Sequence, residues 1–106
     1  MTAFANALQI GLEDLAADVV YARRNEELGR LALLCYCEVR AWARRAHEEQ
    51  LAELAWALCA QSVPSSRSAF LGQVDTVIDE LEHVCQRANI PATATELRRA
   101  RHVGAA

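Results

Sequence analysis

Apolar positions recur every three or four residues along nearly the whole chain, a period that predicts helix almost from end to end. Phe4, Leu8, Leu12, Leu15 and Val19 form one stripe and predict a first helix over about residues 3–23. Thr2 can cap its start, and Arg23 and Arg24 sit where a helix C-terminus favours cations. Asn25, followed by Glu26 and Glu27, reads as the N-cap of the next helix.

The middle of the chain admits two readings. Residues 26–62 contain no proline and only Gly29, so the composition permits one helix there. At 1.5 Å rise per residue it would be about 55 Å long, too long for a compact monomer, and it would complete a bundle only as part of a dimer. The hydrophobic phase favours a break instead. Leu28, Leu31, Cys35, Val39 and Trp42 form one stripe, and the stripe of Leu51, Leu54 and Leu58 does not continue it, so the phase slips around residues 45–49. A short internal echo marks the same places: Tyr21-Ala22-Arg23-Arg24 and Trp42-Ala43-Arg44-Arg45 are each followed closely by a pair of glutamates. Basic then acidic residues suit a helix C-terminus meeting an N-terminus, although neither junction offers a glycine. Two helices, over about 26–45 and 48–62, are expected.

Pro64 with Ser62, Ser65 and Ser66 marks the firmest loop, and a serine there can cap the next helix. Phe70, Val74, Val77, Leu81 and Val84 predict that helix over about 67–88, closed by Asn89 and Pro91. Thr93-Ala94-Thr95-Glu96 matches a capping box, so a short last helix is expected from 94 to 102. The expected fold is all-α, a single domain over 1–106. It is an antiparallel four-helix bundle with a short fifth C-terminal helix; the alternative is a long central helix over 26–62 completing a dimeric bundle.

Composition supports this picture and narrows the chemistry. With 21 alanines and 13 leucines against two prolines and four glycines, the chain lacks the turn formers and β-branched runs of a sheet protein. An apolar share of 53% with a net charge of −3 fits a packed domain rather than disorder. All 11 basic residues are arginine, in the manner of an arginine-rich bacterial-type proteome. Without lysine, neither a Walker-type phosphate loop nor a Schiff base on a side-chain amine can form. No basic N-terminal segment precedes an apolar run, and no stretch is apolar enough to span a bilayer, so no secretory signal and no membrane partner are expected. Cys35, Cys37, Cys59 and Cys85 read as reduced thiols of a cytoplasmic protein; were they oxidised, three pairings would be open.

Candidate sites are few. Glu80 and His83 share the Glu-x-x-His spacing of di-iron carboxylate bundles, but the motif occurs once where two copies are needed, so no metal or other cofactor is expected; the alternative is a helical bundle that holds a metal or cofactor through Glu80 and His83. Cys35 and Cys37 point to different sides of a helix and cannot chelate one ion. The Arg40-x₆-His47 spacing resembles the motif of HEPN-type helical ribonucleases, but it is short and sits in a different surrounding pattern, so no catalytic residue is assigned. Arg98, Arg99, Arg101 and His102 make a basic turn on an acidic chain, too local for a nucleic-acid surface. Large amphipathic side chains point elsewhere. Tyr36 and Trp56 lie off their helices' core stripes, and Leu33 and Cys37 extend the same second face. Leu33, Tyr36, Cys37 and Trp56 are the interface candidates, for a protein partner expected to be a second copy of the chain.

Overall fold

In the computed structural model, which describes residues 2–60 and 66–101, the chain forms five helices among the described residues. They are α1 (Thr2–Arg24), α2 (residues 28–45), α3 (Glu49–Ala60), α4 (Arg67–Arg87) and α5 (Pro91–Arg101). Within α2 a π-helical turn, Leu34–Val39, separates two α-helical halves, Leu28–Leu33 and Arg40–Arg45. The predicted loop around Pro64, apart from Ser66, lies outside the described residues, as does His102. Ser66 is the N-cap of α4, its hydroxyl accepting from the Ala69 N–H at 3.1 Å.

Three turns of one design reverse the chain. After α1, the Glu27 N–H donates to the Ala22 carbonyl (2.9 Å) and the Glu26 N–H to the Arg23 carbonyl (3.2 Å). After α2, Glu48 donates to Ala43 (2.8 Å) and His47 to Arg44 (3.3 Å). After α4, Ile90 donates to Cys85 (2.9 Å) and Asn89 to Gln86 (3.1 Å). This is the Schellman pairing, and it needs a left-handed residue at its corner. Glu26, His47 and Asn89 supply it, with φ of 50°, 60° and 63°. The echoed Tyr-Ala-Arg-Arg and Trp-Ala-Arg-Arg segments are therefore two copies of one helix stop. Their alanines, Ala22 and Ala43, are both fully buried. The break at residues 46–48 removes the long-helix alternative.

Two expected caps are corrected. Asn25 does not cap α2; its side-chain amide donates back to the Tyr21 carbonyl at 2.8 Å, closing α1 instead. Nor does Thr93 open the last helix, which starts earlier, at Pro91. Proline suits the first helical position because its missing N–H would have had no partner there. Glu96, the other half of the expected capping box, pairs with Arg24 of α1 at 3.1 Å.

Each helix packs beside its neighbours in sequence, and α5 closes the ring by packing on both α4 and α1. The side-chain register shows the antiparallel sense. Trp42 reaches Leu8 and Arg30 reaches Asp18 between α1 and α2; Arg101 reaches Asp79 and Arg98 reaches Glu82 between α4 and α5. The result is a compact helical bundle with a short C-terminal helix. Leu12, Val19, Leu31, Val39, Leu51, Val74, Ile78, Leu81 and Leu97 fill its centre at 1% exposure or less, where removing a large side chain costs about 2–5 kcal/mol.

Arginines tie the layers together. Arg23, 5% exposed, holds Asp75 of α4 through Nε at 2.8 Å and Nη2 at 3.2 Å. Glu82, also 5% exposed, accepts from Arg98 Nε (2.9 Å) and Arg101 Nη1 (2.8 Å) of α5. Burial pushes the Glu82 carboxyl up, but the two guanidinium hydrogen bonds outweigh it and hold the group below the usual carboxylate range. Burial likewise pushes the Cys85 thiol up to about 12, with Glu13 and Glu82 adding to the shift, so this cysteine behaves as an inert core residue.

These features have two measurable consequences. Replacing His47, an exposed non-glycine residue held at positive φ, by glycine relieves backbone strain and should raise the stability measured by urea unfolding by roughly 1 kcal/mol. Because folding depresses the Glu82 pKa, its contribution is present above the unfolded value of about 4.3 and is lost as pH falls through the folded value. Glu82→Gln should therefore cost about 2 kcal/mol near neutral pH, and the gap to wild type should narrow in acid. A gap constant with pH would contradict this.

Candidate functional site

The candidate face begins with the π turn. On a regular α-helix Leu31, Cys35, Val39 and Trp42 face inward with Glu38 on the flank of their stripe. The wider π turn delays the phase. Val39 is fully buried, Ala43 is buried one turn later, and Tyr36, Cys37 and Glu38 are all exposed. Trp42 fixes this register: it is 5% exposed and its indole Nε1 donates to the Leu8 carbonyl of α1 at 2.9 Å.

Outward, the turn presents Tyr36 to α3. Its ring lies 5.9 Å from that of Trp56, tilted by 31°. The Arg40 guanidinium sits over both, 4.7 Å from the Trp56 centroid and 5.8 Å from that of Tyr36. Leu33, one turn before Tyr36, is 65% exposed, and Trp56 is 43% exposed. Of the four predicted interface residues, Tyr36 and Trp56 thus meet on the outer α2–α3 surface, with the exposed Leu33 a helical turn away on α2. Cys37 does not join them: it opens onto a groove between α1 and α2, beside Asp14, Asp18 and Arg45.

Next to the aromatic pair runs a groove of about 400 Å³ between α2 and α3. Arg40 and Arg44 line the α2 side; Glu49, Glu53 and Trp56 line the α3 side. Sequence pattern alone does not mark these charges, because nothing in it tells a committed ion pair from an uncommitted one. The only hint lies in spacing, since Arg40 follows Tyr36 by four residues. Eight of the 11 arginines pair with carboxylates. Among the described residues, Arg40 and Arg44 form no such pair, and neither do Glu49 and Glu53.

The other candidate positions are engaged elsewhere. His83 is half exposed, with Nδ1 3.8 Å from Glu80 and 3.9 Å from Asp79, while Glu80 also lies 3.5 Å from Arg87. No group of three His, Cys, Asp or Glu side chains among the described residues is placed to hold a metal ion. Arg98, Arg99 and Arg101 contact Glu82, Glu96 and Asp79 respectively. His47 forms the corner of the α2–α3 turn, and Arg40 lies on the aromatic rings. No helix among the described residues is long and apolar enough to cross a membrane.

No family model, no curated protein and no solved structure matches this chain.

Proposed function

We propose that the chain is a small non-enzymatic helical protein-binding module of the adaptor, chaperone or immunity type, acting through the outer α2–α3 face and self-associating there. The tilted, exposed Tyr36–Trp56 pair carries this reading. Two large aromatic rings from different helices are held together at the surface, under a guanidinium and next to an exposed leucine. Tyr, Trp and Arg are the residue types that dominate binding energy at protein interfaces, because each buries a large rigid area while keeping a polar edge. Neither ring is part of the buried core. The arginine-only basic composition and the cysteine content favour a cytoplasmic setting in a bacterial-type proteome.

Tyr36→Glu or Trp56→Glu should shift the mass measured by light scattering from dimer to monomer, with the helical circular dichroism spectrum retained. A dimer that survives both substitutions defeats the assignment of this face.

A further inference from the structure

We infer that the occupant of this face is a second copy of the chain, related by a two-fold axis that sets Arg40 and Arg44 of each subunit against Glu49 and Glu53 of the other. The inference rests on the protein-binding reading above and adds the partner and its register.

The argument starts from charge. This protein neutralises most of its arginines internally, on exposed pairs such as Arg87–Glu48 as well as buried ones such as Arg23–Asp75. The α2–α3 groove departs from that habit with two charges of each sign, whereas the α1–α2 groove, where Asp14, Glu38 and Arg45 also form no ion pair among the described residues, has a single unpaired cation. In the α2–α3 groove two arginines stand on one side and two glutamates on the other, and none of the four forms an ion pair among the described residues. A surface of one sign would call for a partner of the opposite sign. A surface divided into a positive row and a negative row is complementary to itself once rotated by 180°, which is the requirement of an isologous dimer.

The position of Arg40 strengthens the point. Placed over the Trp56 ring, the Arg40 guanidinium forms no ion pair among the described residues, so its N–H donors are open to a carboxylate from outside. Trp56 lies on the groove itself, so the same rotation brings the aromatic pairs of the two subunits together at the end of the groove away from the 46–48 turn. The contact thus joins an aromatic end to a charged end, and each is matched to its own copy by the same axis.

Charge reversal tests the register. Arg40→Glu with Arg44→Glu gives a chain with two acidic rows, and Glu49→Arg with Glu53→Arg gives one with two basic rows. Each should remain helical but be monomeric in sedimentation equilibrium, its self-association weakened by about 100-fold or more through like-charge contacts. Mixed in equal amounts, the two should recover a species of twice the 11.7 kDa chain mass, and a chain carrying all four reversals should dimerise alone. Failure of the mixture to associate overturns the inference. If Trp56→Glu dissociates the dimer but neither charge reversal does, the two-fold register is wrong while the binding face stands. Dimers that persist through Trp56→Glu overturn the underlying reading, and a monomeric wild type overturns both self-association and the register.

Discussion

The molecule depends on how α2 is seated. This helix lies between α1 and α3 and has to bury Leu31, Cys35, Val39 and Ala43 without drawing Glu38 in with them. Burying an uncompensated carboxylate would cost several kcal/mol. The π turn resolves the conflict, and the Trp42–Leu8 hydrogen bond pins the result to α1. The outer surface is a consequence of this inner arrangement. A helix rotated to bury Val39 turns Tyr36 outward toward Trp56, so the candidate face is set by the demands of the core.

Electrostatics then divides the surface into settled and unsettled regions. On α4, Asp75, Asp79 and Glu82 lie at helical spacing and receive Arg23, Arg101 and Arg98 from the flanking helices. The buried members of this set are specific because each charge has its partners; leaving one alone would be costly. Exposed pairs elsewhere contribute little individually, but they show which charges are already engaged within the chain. The α2–α3 groove stands out against that background, with a cationic row and an anionic row that do not neutralise one another.

Much of the fold was legible because helical periodicity is a strong signal in a chain with two prolines and four glycines. The stripes of α1, α2 and α4 and the phase slip near residue 46 located the helices. Cap chemistry misled at Asn25 and Thr93, since side-chain capping competes with Schellman closure and with proline at a first turn, and single residues do not reveal which prevails. The corners were hard to see for the same reason: Glu26 and His47 occupy a left-handed position where glycine is the usual sign. For the candidate face, Leu33, Tyr36 and Trp56 were legible as apolar residues off the core stripe. Cys37 groups with them only on a regular helix; with the π turn in place, its groove lies on the α1 side. Beyond the four-residue spacing of Tyr36 and Arg40, the grouping of Arg40, Arg44, Glu49 and Glu53 was not legible, because its significance lies in pairs they do not form within the chain.

The most direct measurement is an isotope-filtered nuclear Overhauser experiment on an equal mixture of labelled and unlabelled chains, which reports only contacts between subunits. The account predicts cross-subunit signals from the Trp56 indole protons to the α2–α3 surface of the other chain. Trp56 signals confined to its own chain, in a sample that is otherwise dimeric, would contradict it.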